Sequence, residues 1–297
     1  MSERRGDLAG PAFAVGSGVL FGVVVIAGKP ALGGDLPFTL LAWRFGLTAL
    51  TLAVVTALLR RPLRPAPGER LPILAAGFFG YGVEASLFFA ALNYGSAAAV
   101  TLLFYTYPVH TMVVAIATGR LPRGGSLWLA LLSAMAGVVV LIAGEGIAIE
   151  TAGVVLALTC ALAYTLYLTI TDRVLRRSAP LAAGVALSSG AAAFCLAAAV
   201  VTGTFAAPED WAAWRPILVM AAATAGAFGC MLAAIKRIGG VRTAIIGVFE
   251  PLSVALLGAV FLDEPLTLGI VVGGALILAA AVLATLARGD RVVEPDV

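Results

Sequence analysis

Tyr105-Thr106-Tyr107-Pro108-Val109-His110 stands in the middle of a long apolar run, and Val248-Phe249-Glu250-Pro251-Leu252-Ser253 echoes it in a second run. With the two prolines aligned, the offset is 251 − 108 = 143 residues, close to half of the 297-residue chain. The same offset lays Ala90-Ala91-Leu92 on Ala233-Ala234-Ile235 and Leu121-Pro122 on Glu264-Pro265. Two prolines inside apolar runs, flanked by Tyr107 and His110 in one copy and Glu250 in the other, mark a polar centre. The pattern predicts a site at the junction of two repeated halves.

The composition places these runs in a membrane. Hydrophobic residues make up 61 % of the chain and charged residues 12 %, with a mean hydropathy of +1.06. A soluble domain carries about 25 % charged residues, so folding in water is excluded in favour of a polytopic membrane protein. Cys160, Cys195 and Cys230 sit singly inside apolar runs, without paired spacing, and read as small buried hydrophobes. Arg4 and Arg5 before the first run resemble the start of a signal peptide. With so many further runs behind it, that stretch reads as an uncleaved first helix.

Apolar runs of the roughly 20 residues needed to cross a bilayer recur ten times: 11–30, 38–59, 71–92, 96–118, 126–143, 151–171, 181–201, 213–234, 240–262 and 267–287. They are continuous and lack alternation, which excludes barrel strands. Taking alternate ends, one side collects sixteen of the nineteen basic residues, from Arg4 and Arg5 through Arg60, Arg61, Arg120, Arg123, Arg173, Arg176, Arg177, Lys236 and Arg237 to Arg288 and Arg291. The other side holds Lys29 and Arg215, while Arg44 lies within the second run. The split predicts cytoplasmic termini in the inner (plasma) membrane of a bacterium.

The expected fold is therefore an all-α polytopic membrane protein of ten transmembrane helices, arranged as two five-helix repeats over 1–147 and 148–297. Five is odd, so the second repeat enters from the opposite side and the two are inverted. Uncharged Asn93-Tyr94 against its basic partner Lys236-Arg237 agrees with that. Inverted repeats are a recurrent plan of secondary transporters, with the site near the midplane.

The run Ala-Leu-Asn-Tyr-Gly-Ser at 91–96 leads to Leu-Leu-Phe-Tyr-Thr-Tyr-Pro at 102–108, and the second half carries Gly-Val-Phe-Glu-Pro at 247–251 and Asp-Glu-Pro at 263–265. With ten spans around them, these residues resemble the drug/metabolite transporter superfamily, and within it the EamA-type permeases, over about 11–287. The resemblance implies a pathway lined by helices 1–4 and 6–9, with helices 5 and 10 peripheral. It also implies export of amino acids and related metabolites.

Four strongly polar or ionisable groups fall well inside the spans: Arg44, Glu84, His110 and Glu250. A charge at the bilayer centre costs at least ~2.5–3.5 kcal/mol on insertion scales, so such groups face a cavity or a partner. Glu84 shares a helical face with Gly77, Tyr81 and Phe88. It reads as a coupling carboxylate or cation-binding group, against the plainer reading of a neutral acid that fixes helix packing. Glu250 precedes Pro251, which frees a carbonyl one turn earlier, expected at Ile246; Glu250 either binds substrate or braces the kink.

His110 reads as a proton relay or, more plainly, as a histidine bonded to a neighbouring helix. No cysteine or carboxylate stands at metal-ligand spacing beside it, so no metal is expected. Arg44 either forms a structural ion pair or binds a substrate carboxylate. Tyr107 falls opposite Glu250 in the repeat and is expected, with Tyr81, to line the pathway. Pro108 and Pro251 are the expected hinges.

The expected partners are the bilayer, a small-molecule substrate and protons, with no nucleic acid. Gly269–Gly273 has the spacing of a homodimer contact, though tight packing within the chain gives the same spacing. No phosphate-binding loop is visible, so no nucleotide or other cofactor is expected. Three function classes stand: a secondary exporter of small zwitterionic metabolites, a multidrug or organic-cation proton antiporter, and an intramembrane enzyme. The last lacks a nucleophile–base neighbourhood or a metal cluster and is disfavoured.

Overall fold

A computed structural model of the chain describes residues 9–33, 36–117, 129, 132–137, 139–140, 149–174, 177–238, 243, 246–247 and 249–289. Several sequence expectations fall outside them: the junction at 147–148, much of the expected span 126–143, and the basic residues Arg4, Arg5, Arg120, Arg123, Arg176 and Arg291. The regular elements among the described residues are helices, with one isolated bridge between Gly95 and Ile149.

The first half contains α1 (Ala9–Gly28), α2 (Phe38–Leu58), α3 (Arg70–Ala75), α4 (Gly82–Ala91), α5 (Ala97–Phe104) and α6 (Tyr107–Ala117). The second contains α7 (Thr151–Val174), α8 (Pro180–Val201), α9 (Trp211–Ile238), α10 (Phe249–Phe261) and α11 (Leu268–Gly289). Six helical segments among the described residues are long and apolar enough to cross a membrane: Ala9–Leu32, Phe38–Leu58, Arg70–Tyr94, Thr151–Leu168, Pro180–Val201 and Trp211–Ala234. Phe249–Phe261 and Leu268–Ala280 are shorter apolar helices. At 1.5 Å per residue, the 20 residues of α1 reach about 30 Å, the thickness of a hydrocarbon core.

Local chemistry punctuates these helices. Pro30 opens a 3₁₀ turn, Lys29–Leu32, that ends on left-handed Gly33. Ser96 caps α5 by accepting the Ala99 amide at 3.1 Å. Pro180 starts α8, where its missing N–H leaves no intrahelical bond unmade. The third span is not one regular helix. A π-helical segment, Ala76–Tyr81, separates α3 from α4, and such turns concentrate at functional sites. The fourth span breaks at Tyr105-Thr106, two residues before Pro108, which lies in the first turn of α6 where proline is tolerated.

The surface is apolar and the interior close-packed. Leu58 is 78 % exposed and Val201 86 %, as lipid-facing side chains are, while Phe45, Leu41 and Leu103 are fully buried. Small residues let backbones touch. A side chain at Gly77 would strike the Leu187 carbonyl, and one at Gly190 would strike the Leu74 carbonyl and the Gly77 Cα, so α8 lies directly on the π segment.

The 143-residue offset maps one set of contacts onto another. Ser253 Oγ donates to Gly18 O at 3.3 Å, and the equivalent His110 meets Ala161 O, since 253 − 143 = 110 and 18 + 143 = 161. Ser133 Oγ donates to Leu276 O at 3.2 Å, and 133 + 143 = 276. Gly273 packs on Gly137, and Gly269 is buried too, so this small-residue face is covered by the chain itself.

Candidate functional site

A cavity of about 580 Å³ lies among the helices, of a size suited to a small molecule. Its wall takes Phe21 from α1, Arg44 from α2, Tyr81 and Glu84 from the third span, and Phe104 from α5. Tyr164 and Tyr167 from α7, Phe228 from α9 and Glu250 from α10 complete that ring. Four of the six residues expected at the site, Arg44, Tyr81, Glu84 and Glu250, thus meet at one surface.

Arg44 is 4 % exposed. Its Nε donates to Thr224 Oγ1 at 3.2 Å, and its guanidinium lies 4.7 Å from the Phe45 ring centroid and 5.4 Å from that of Phe89. Thr224 in turn donates to Met220 O at 2.7 Å, which fixes the hydroxyl with a lone pair toward Arg44. Glu84 and Glu250 stand within electrostatic reach of Arg44, yet among the described residues no carboxylate pairs with it. The ion pair there is Lys29–Glu264. The expected structural pair for Arg44 is replaced by a hydroxyl and two aromatic faces.

Glu84 sits in the first turn of α4, just past the π segment, and is 7 % exposed. Cys160 Sγ donates to the Glu84 carbonyl at 3.3 Å and lies 3.7 Å from its Oε1. Tyr81 ends the π segment. Its ring stacks on Tyr167 at 6.0 Å and tilts against Phe45 at 5.0 Å. The extra residue of the π turn therefore sets both Tyr81 and Glu84 toward the cavity.

Glu250 is the second residue of α10. Tyr105 Oη lies 3.1 Å from its Oε2 and donates at 2.8 Å to the Gly247 carbonyl. That carbonyl is the one freed by Pro251, because a proline withholds its amide from the residue four before itself, 251 − 4 = 247. The expected carbonyl, Ile246, lies four before Glu250 and is not the freed one; Gly247 O takes the Glu250 amide at 3.0 Å as well as the Tyr105 hydroxyl. One hydroxyl proton thus serves two acceptors.

Tyr107 lies behind the cavity wall. Its ring packs on Tyr164 at 4.8 Å and Phe104 at 5.4 Å, both of which line the cavity, and Glu250 is among its electrostatic neighbours. His110 is half-buried and away from the lining; its Nδ1 is buried without a partner among the described residues. Pro108 and Pro251 each sit in the opening turn of a helix, beside the breaks at 105–106 and 247. Among the described residues, no cluster of three His, Cys, Asp or Glu side chains could hold a metal.

Sequence reasoning missed Thr224, read Cys160 only as a small buried hydrophobe, and counted Tyr105, Tyr164 and Tyr167 among the hydroxyls at membrane depth without giving them a role. Only Tyr105 left a signal: 105 + 143 = 248, so the offset sets it beside Gly247 and Glu250. Thr224 is 180 residues from Arg44, and nothing in the sequence links them.

A solved crystal structure aligns with a TM-score of 0.67 at 21 % identity, over 95 % of this chain and 98 % of the other, which shows a shared fold. No curated protein matches the sequence. The model of the EamA-like transporter family matches twice, over residues 8–143 and 151–286, and these two stretches take in nearly all the described helices. The chain is a member of the EamA-like transporter family, a multi-pass membrane protein carrying two copies of that family's repeat.

Proposed function

We propose that this protein is a secondary transporter that moves a small zwitterionic metabolite, such as an amino acid, out of the cell by alternating access. The observation that carries the reading is the meeting of Arg44, Glu84 and Glu250 on one cavity, with no ion pair among them. A guanidinium left without a carboxylate partner suits a substrate carboxylate, and the two acids suit its ammonium group. In this reading ten spans form two inverted repeats, 1–147 and 148–297. Both termini are cytoplasmic, the membrane is the inner (plasma) membrane, and Pro108 and Pro251 mark the bending points. Tyr81 and Tyr107 shape the wall, and His110 supports α6 against α7.

Proton coupling fits the Glu250–Tyr105 contact. A protonated Glu250 would donate to the Tyr105 oxygen and leave the hydroxyl proton wholly to Gly247. Counterflow of labelled amino acids into proteoliposomes tests the reading. Wild-type protein should exchange substrate, and Glu84→Gln and Glu250→Gln should lower flux roughly tenfold or more, the factor that 1.4 kcal/mol represents. Unchanged flux in both variants would remove the acidic site.

A second reading is favoured by the aromatic wall. Tyr81, Tyr164, Tyr167 and Phe228 surround the acids, and rings with carboxylates recognise organic cations. Export of a quaternary ammonium dye without amino-acid exchange would select the organic-cation antiporter.

A further inference from the structure

The cavity has two unlike ends. One reaches Ser178 and exposed Pro180, which precede and open α8. The other end lies beyond Phe89 and is filled: a side chain at Gly28 would collide with Phe89 Cε1 and Met220 Cε. Helix α7 runs between the two ends. Just before its first residue, Glu150 N donates to Tyr94 O at 2.7 Å, and Ile149 bridges Gly95, whereas its last turn leads to Ser178.

Just past Gly28, at the filled end, stands the cluster around Glu264. Lys29 Nζ lies 2.6 Å from Glu264 Oε1 and donates to Gly95 O at 2.7 Å. The Ala97 amide, the first of α5, donates to both Glu264 oxygens at 2.8 and 2.9 Å. The side chains are 23 % and 10 % exposed, so the pair is sheltered from solvent. Glu264 comes from the second repeat match and its partners from the first, so these bonds join the halves.

We infer that Lys29 and Glu264 form a lock, which holds the cavity closed at the Tyr94–Gly95 end while it opens at the Ser178–Pro180 end. The inference rests on the alternating-access reading. Helix α5 is the strut of this device. Its first amide is held by Glu264, and Tyr105, one residue past its end, is held by Gly247 and Glu250. The second half thus grips both ends of an eight-residue helix, so a change at Glu250 is transmitted along α5 to the lock.

The lock also has no copy in the repeat. The equivalent positions are 29 + 143 = 172, an aspartate, and 264 − 143 = 121, a leucine. That difference in sequence between the two repeats suits a lock that serves one end and biases the protein toward the state described here.

The test is a distance measurement across the lock. Spin labels at Ala31→Cys and Leu266→Cys, both exposed sites, are introduced with Cys230→Ala, leaving Cys160 and Cys195 buried. Pulsed dipolar spectroscopy in nanodiscs should give one short distance for the parent. Lys29→Gln and Glu264→Gln should each raise the longer-distance population about tenfold, the scale of a lost charge-assisted bond. Lys29→Arg, which keeps both the charge for Glu264 and a donor for Gly95 O, should hold most of the population at the short distance. Lys29→Gln leaves Glu264 on the Ala97 amide, so at least one single variant keeps the local fold.

An unchanged distance in Lys29→Gln, or a Lys29→Arg variant as open as Lys29→Gln, overturns the lock. Counterflow on the same preparations separates the two readings. Distances that move without flux for any metabolite uphold the lock and sink the transport reading. Flux with unmoving distances does the reverse.

Discussion

Arg44 spends one donor on Thr224 and sets its guanidinium over the Phe45 and Phe89 rings, so its one side-chain hydrogen bond is to a neutral hydroxyl. Thr224→Val keeps the shape and removes that acceptor. The Nε–H is then buried unsatisfied, which costs about 1–3 kcal/mol, and the melting temperature in detergent should fall by several degrees. A change within measurement error would show that Arg44 is held by its ring contacts alone. Tyr105 makes the complementary case. Tyr105→Phe removes the donor to Glu250 and one of the two donors to Gly247 O, which keeps the Glu250 amide at 3.0 Å, whereas Glu250→Gln keeps a group able to donate to Tyr105. Thermal melts should therefore show the phenylalanine variant to be the less stable by about 1 kcal/mol. In a double-mutant cycle the two effects should fall short of additivity, because they share one bond.

At the scale of elements, the third span and its crossing with α8 set the site. The π turn over Ala76–Tyr81 places Tyr81 and Glu84 on the cavity, and it survives because Gly77 lies against the backbone of Leu187 and Gly190 against that of Leu74. Gly77→Val would force apart two backbones that have no flexible side chain between them. Overpacking of this kind costs roughly 1–3 kcal/mol or more, so size-exclusion chromatography should show loss of the monodisperse peak, with Gly46→Ala, a site in open space, as the tolerated control. Six of the helix intervals were legible in the sequence as full spans, because length and apolarity alone define one. The ionisable groups of the site were legible because charge is rare at that depth. The π turn was not, since Ala-Gly-Phe-Phe-Gly-Tyr carries no local signal for an extra residue per turn. The break at Tyr105-Thr106 lies two residues before Pro108, and neither of its residues marks it in the sequence. Partners such as Thr224 and Cys160 depend on which helices adjoin, and no local pattern encodes that.

Across the whole molecule, the 143-residue offset is the feature that sequence and structure share, because it relates Ser253–Gly18 to His110–Ala161 and joins Ser133 to its own equivalent at 276. Its consequence for sidedness remains a matter of charge. Helix α2 starts beside the loop after α8, where Thr39 donates to Thr204 O and Trp43 to Ala206 O, and ends at Leu58 before Arg60, Arg61 and Arg64. Ala207 and Arg64 are both exposed and lie beyond opposite ends of that helix. The excess of basic residues on the Arg64 side predicts that this side is cytoplasmic. A membrane-impermeant maleimide applied to intact cells should therefore label Ala207→Cys and spare Arg64→Cys, and permeabilisation should expose the second. Labelling in the reverse order would invert the assigned topology and place the cavity's Ser178–Pro180 end outside the cell. The Lys29–Glu264 lock would then close the cytoplasmic face, and the same lock chemistry would bias the transporter toward outward opening.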